Sequence, residues 1–186
     1  MARTGDTVEN PVTHERLTFL RTAADTAGAV LEVELAFAPG GFVASVHTHP
    51  NQEERFEVLA GTPRFRIGST ERTGRTGETL VVAPGMPHRV WNDGPTEARL
   101  RIELRPALRM EEVLEENARL GRLGKLNRKG LPNPLRGALL AREYAAEFAP
   151  APDPNIPLSR IPPRVLSALL VPLAAIARLL GYRVGA

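Results

Sequence analysis

The chain of 186 residues is long enough for one domain with a substantial core and too short for two full-sized ones, so one domain plus an appendage is expected. It contains no cysteine, which excludes disulfide scaffolds, thiolate metal sites and a cysteine nucleophile; any metal must be held by nitrogen and oxygen. The formal net charge of +3 is modest, and the arginines are scattered rather than clustered with aromatic residues, so no nucleic-acid partner is expected.

The opening residues, MARTGDTVEN, hold no apolar core of signal-peptide length, and the expected compartment is the cytoplasm. From Arg16 to Pro106 the sequence reads as short strands. AVLEVELAF (Ala29 to Phe37) sets Leu31, Val33, Leu35 and Phe37 against Glu32, Glu34 and Ala36, the period-2 pattern of a half-buried strand, and EARLRIELR (Glu97 to Arg105) does the same with Ala98, Leu100, Ile102 and Leu104. Between them lie FVASVH, ERFEVLA, PRFRIG, TLVVA and HRVWN, separated by turn signals such as APGG, AGTP, APGM and NDGP. GSTERTGRTGE has neither phosphate-loop spacing nor a following helix and reads as a hairpin tip. Many short strands at close spacing predict a mainly β fold, a sandwich or small barrel.

After Pro106 the character changes. RMEEVLEENARLGRL (Arg109 to Leu123) places glutamates early and arginines late, as a helix macrodipole favours, with Met110, Val113, Leu114 and Leu120 on an apolar face. PLRGALLAREYAAEF (Pro134 to Phe148) is a second helix with proline in its first turn. A proline-rich linker is expected over 149–163, followed by an apolar helix from Arg164 to Tyr182. Pro172 and Arg178 interrupt that helix, and its length sits at the lower limit for a bilayer, which favours burial against the barrel or a partner over stable membrane insertion; a lid over the barrel mouth, forming part of a substrate entrance, is the third possibility. The division expected is a barrel over 1–106 and a helical extension over 107–186.

The chemistry concentrates in GFVASVHTHPNQEERFEVLAG, Gly41 to Gly61. Side chains two apart on a strand point the same way, so His47 and His49 project together and can bind one divalent ion, with a nearby carboxylate closing a third position. Glu53 and Glu54 both lie within reach. Glu54 shares its face with Phe56 and Val58, whereas Glu53 turns outward with Arg55 and Glu57, so parity favours Glu54. His88, in GMPHRVWN, begins another strand, while His14 has no ligand context. Period-2 alternation also nominates a pocket wall of Val43 and Ser45 beside His47, Phe56 and Val58 beside Glu54, and Val90 and Asn92 beside His88. Because this wall is mostly apolar, the small-molecule ligand expected is hydrophobic or aromatic. Arg89 and Trp91 face away from the histidines by the same parity. Ser45 has no acid to orient a neighbouring imidazole and is not a credible nucleophile.

At this point the residues resemble the cupin family. Gly41, His47, His49, Glu54 and Gly61 fit the first cupin motif at every spacing, and Gly77, Gly85, His88 and Asn92 fit the second, with Ala83 where its first proline belongs and Pro84 following. The resemblance covers roughly the middle third of the chain. It implies a double-stranded β-helix, or jelly-roll, barrel with C-terminal α-helices outside the motifs, and a homodimer. It also implies His47, His49, Glu54 and His88 as ligands of one divalent transition metal (Fe, Mn, Ni, Co, Cu or Zn), a set that leaves two positions for exchangeable groups in six-coordinate geometry. Glu54 would be both ligand and proton acceptor. Three functions stay open: a dioxygenase resembling the quercetinase-like enzymes, a non-redox Lewis-acid isomerase, decarboxylase or cyclase, and a barrel that only binds or senses a small molecule.

Overall fold

The computed structural model describes residues 2–151 and 163–185. In chain order the elements are β1 (Thr7–Asn10), β2 (Glu15–Arg21), β3 (Leu31–Phe37), β4 (His47–Thr48), β5 (Glu53–Ala60), β6 (Arg64–Ile67), β7 (Thr70–Thr73), β8 (Thr79–Val82), β9 (His88–Trp91), β10 (Ala98–Arg105), α1 (Met110–Arg122), α2 (Pro134–Glu143), β11 (Ala149–Pro150) and α3 (Pro163–Leu179). The strands form two antiparallel sheets, ordered β1-β2-β3-β10-β5-β8 and β11-β4-β9-β6-β7, a jelly-roll arrangement.

Alternation decides which face each strand buries. Leu31, Val33, Leu35 and Phe37 pair in register with Leu104, Ile102, Leu100 and Ala98, and all eight are buried. Facing them from the second sheet are Phe65 and Val90, and the rings of Phe56 and Phe65 meet edge to face at 5.4 Å across the core. On the outer face of the first sheet Arg99 pairs with Glu34, and Arg101 reaches both Glu32 and Glu57. Many arginines are thus spent on cross-strand partners, which fits the absence of a clustered basic patch in the sequence.

Two strands carry no sequence signal. β7 is exposed at every position, so TERT shows no apolar alternation, yet it pairs with β6 across the Gly68-Ser69 turn. β1 adds an edge strand beside β2. Conversely, FVASVH is not one strand. Phe42 makes an isolated bridge to Trp91, and regular pairing resumes only at His47, opposite His88.

α1 forms where expected, whereas α2 begins at Pro134 as expected but ends at Glu143, giving way to turns before Phe148. Asn133 caps α2 by accepting from the Arg136 N–H, with Pro134 opening its first turn. Within the expected linker, Ala149 and Pro150 form a strand pairing with Thr48 and His47, while residues 152–162 lie outside the described residues. α3 packs along α2 with Ala174 and Ala177 buried, but Val171, Ile176, Leu179 and Leu180 are exposed, so the expected burial holds for one face only. No helix among the described residues is long and apolar enough to cross a membrane.

Candidate metal centre and its cavity

Two motif glycines owe their place to close packing. At Gly41 a Cβ would lie 2.9 Å from the Ala38 carbonyl oxygen, and at Gly61, where φ is +75°, it would lie 2.7 Å from the Glu97 oxygen and 2.8 Å from the Ala98 Cα. These glycines let the chain turn tightly at either end of the segment that carries His47, His49 and Glu54.

The structure brings together His47, His49, Glu54 and His88. All four are buried, and one ligand atom from each lies within 4.8 Å of the others. The carboxylate is 2.7 Å from Nε2 of His88 and 3.3 Å from Nε2 of His49, yet neither nitrogen nor the Oε2 atom has a partner of hydrogen-bond geometry among the described residues. The other ring nitrogens explain the orientation. Nδ1 of His47 faces the Ser45 carbonyl at 3.0 Å, that of His88 the Met86 carbonyl at 2.9 Å, and that of His49 the Glu147 carbonyl at 2.6 Å. A carbonyl can only accept, so each Nδ1 carries the proton and donates it, and each Nε2 presents a lone pair toward the common centre. A buried cluster of three lone pairs and a carboxylate, orphaned of donors, fits a divalent transition metal with nitrogen and oxygen ligands.

Electrostatics distinguish the imidazoles: His47 is held neutral, whereas Glu54 draws His49 toward its protonated form, a proton that a metal at Nε2 would displace. Burial, then the proximity of His88 and His49, holds the His47 imidazole well below its ordinary pKa, which keeps it neutral. For Glu54 burial opposes ionisation, but His49 and His88 outweigh it and hold the carboxyl below the usual carboxylate range. His49 is raised, because Glu54 overcomes its desolvation.

The centre opens into a cavity of about 870 Å³. Val43, Ser45, Phe56 and Val90 line it as parity predicts, but Val58 and Asn92 do not. Alternation fixes the side of the sheet, not the depth along it. Val58 sits deeper in the core, against Gly74, and the Asn92 amide is engaged by the carbonyls of Phe37, Ala38 and Thr96. Asn92 is therefore a brace for the Gly41 turn. Glu53 is exposed, and Arg64 and Arg66 pair with Glu71 on the outer surface. His14 takes no part in the cluster.

Much of the cavity comes from the C-terminal extension rather than from the strands that the alternation pattern nominated as its wall. Met110, Val113, Leu114 and Leu120 of α1 turn their apolar face into it, and Leu170 and Leu173 of α3 also reach it. Phe148 stacks on the His47 ring at 4.8 Å and 23°. With the Glu147 carbonyl on His49, this gives the C-terminal extension two direct holds on the ligand cluster. Glu15, on β2, is the other residue without a sequence signal. It lines the cavity, is 8% exposed, and accepts a hydrogen bond from the Thr13 hydroxyl. Burial pushes its pKa up to about 7, moderated by that bond.

Residues 33–104 match the family model of the Cupin domain. A curated relative, protein SchB of Streptomyces halstedii, is 34% identical over 85 residues, 46% of this chain and 59% of SchB, so the chain spans about three-fifths of that relative's length. An RmlC-like cupin from Shewanella frigidimarina superposes with a TM-score of 0.50 at 17% identity, covering 57% of this chain and 88% of that one. A predicted oxalate decarboxylase from Thermotoga maritima gives 0.48 at 18% identity, over 50% and 80% of the respective chains. With its family-model match, jelly-roll topology and clustered motif residues, the segment 33–104 is a cupin domain.

Proposed function

We propose that the protein is a metal-dependent enzyme acting on a small apolar or aromatic metabolite, with dioxygenase-like oxidation at a mononuclear centre of His47, His49, Glu54 and His88. The observation that carries this reading is the convergence of His47, His49, His88 and Glu54 at the wall of an apolar cavity, with Nε2 of His49 and His88 and Oε2 of Glu54 lacking partners of hydrogen-bond geometry. A bound divalent ion supplies an electrophilic centre for a substrate oxygen and, for iron, manganese, nickel, cobalt or copper, access to redox chemistry. Every other contribution belongs to the chain. The carbonyls of Ser45, Met86 and Glu147 fix the imidazole tautomers; Phe56, Val90, Met110 and Phe148 exclude water and select a hydrophobic body; Glu54, held ionised, accepts a proton from an acidic substrate hydroxyl.

The test is elemental analysis of protein purified without added metal or chelator, beside a His47→Ala, His49→Ala variant, with oxygen uptake followed against flavonoids, diketones and phenols. Near-stoichiometric iron, manganese or nickel that the variant loses, with oxygen uptake, supports the reading. Zinc without oxygen uptake favours Lewis-acid isomerisation, decarboxylation or cyclisation at the same residues. No metal even after reconstitution removes catalysis and leaves a binding barrel. The proposal extends to a cytoplasmic homodimer without nucleic-acid or membrane partners. The exposed Val171, Ile176 and Leu179 on α3, with Leu180 just beyond it, give a second copy an apolar face to cover, and a sedimentation series over protein concentration checks it.

A further inference from the structure

Among the carboxyls lining the cavity, Glu54 belongs to the ligand cluster and Glu116 is bound by Arg119 through two contacts of 2.8 Å. Glu15 differs from both. No arginine, lysine or histidine pairs with it among the described residues, and its one hydrogen bond comes from the buried Thr13 hydroxyl to Oε2. An acidic group placed inside an apolar cavity without a basic partner costs the fold stability, which a purely structural role does not require of it.

Its position relative to the metal centre follows from strand register. Glu54 lies opposite Leu104, which lies opposite Leu31, whereas Glu15 lies opposite Phe37. The backbone positions of the two residues are therefore offset by the length of β3, roughly 20 Å along the strand at about 3.3 Å per residue. Both line one cavity, whose intervening walls include Leu17, Val33, Leu35 and Ile102.

We propose that Glu15 is the distal anchor of a ligand lying lengthwise in this cavity: a long, mainly apolar molecule with a metal-seeking oxygen at the histidine end and a hydroxyl or amine at the Glu15 end. The inference rests on the metal-centre reading above and names the substrate class it serves. With Thr13 donating to one carboxyl oxygen, the other accepts from the ligand's terminal hydroxyl or amine. The apolar walls hold the body, and Glu15 sets length and register, rejecting molecules of the same shape that end in a methyl group.

The experiment uses the full chain loaded with zinc and titrated calorimetrically with dodecanohydroxamic acid and ω-hydroxydodecanohydroxamic acid, together with shorter and longer homologues of each. The hydroxamate probes the metal and the terminal hydroxyl probes Glu15. At the matching length the hydroxylated compound is expected to bind about tenfold more tightly, as for one hydrogen bond to a charged group. Glu15→Leu is expected to abolish that preference while retaining affinity for the plain hydroxamate, and Glu15→Gln, whose amide oxygen still accepts, to retain part of it. Melting curves confirm that the variants fold. Zinc-dependent binding with no hydroxyl preference at any length, or a preference that survives Glu15→Leu, overturns the assignment. Absence of zinc-dependent binding by either compound overturns the metal reading and this inference with it.

Discussion

The Glu147 carbonyl that orients His49 is 98 residues away in sequence, and its hold on the metal centre can be weakened without touching a ligand. The buried Glu147 carboxylate accepts from the backbone N–H of Arg109 at 3.2 Å, tying the turn after α2 to the start of α1. Glu147→Ala removes that tie and leaves the turn held by the Glu147 and Phe148 N–H groups on the Tyr144 carbonyl. Loss of a hydrogen bond to a charged group costs about 1.5–3 kcal/mol, and at about 2–4 °C per kcal/mol the metal-stripped variant should melt roughly 3–12 °C lower. Loosening a partner that orients a ligating histidine raises the metal dissociation constant about 10- to 100-fold. Zinc at one hundred times the wild-type constant stabilises wild type by about 2.7 kcal/mol, and the variant by only about 0.4–1.4 kcal/mol. Differential scanning calorimetry with chelator and with buffered zinc measures both quantities. Glu147→Gln should restore most of each, since its amide oxygen can accept from Arg109. A variant that loses stability yet keeps the full zinc-induced shift would refute the idea that the extension positions His49.

Three further outcomes are expected. Glu15 has a folded-state pKa near 7 against a reference of 4.5, so its contribution is fully present below pH 4.5 and is lost as pH rises toward 7, by about 3 kcal/mol; the stability of Glu15→Gln relative to wild type should therefore increase across that window, and a flat difference would contradict the burial argument. Gly61→Ala must place a Cβ against the Glu97 and Ala98 backbone at positive φ; denaturant unfolding should show a loss of at least about 2 kcal/mol, and an unchanged midpoint would mean the turn is not tightly packed. Phe148→Ala removes a half-buried ring stacked on His47, so a loss of about 2 kcal/mol is expected. Zinc affinity should fall less than for Glu147→Ala, because the Ser45 carbonyl still orients His47; a larger loss in competitive titration would reverse that ranking.

The sequence made the ligand cluster legible because its signals are local. His47 and His49 are two residues apart at β4, Glu54 follows within one turn, and His88 opens β9, whose pairing with β4 sets it opposite His47. Val58 and Asn92 show where local reasoning stops. Parity put both on the correct side of their strands, but only the barrel's closure decides that Val58 falls into the core and that the Asn92 amide braces a turn. β1 and β7 escaped for a different reason. Their exposed, polar residues have no alternation to detect, and backbone pairing with a neighbour alone makes them strands.

The residues farthest from local inference bear most on function. Glu15, Glu147 and Phe148 lie outside both motifs, and nothing in their flanking residues marks them as neighbours of a metal centre. Glu15 lines the cavity from β2, while α1 packs on β1 and β11 pairs with the strand bearing His47, bringing Phe148 into the cavity and the Glu147 carbonyl onto His49. A barrel ending at Pro106 would keep all four ligand side chains but lose the carbonyl on His49, the ring on His47 and the apolar face of α1. In this chain the extension helps build the site, so differences in C-terminal sequence between related barrels should alter metal affinity and ligand length together, even where the two motifs are identical.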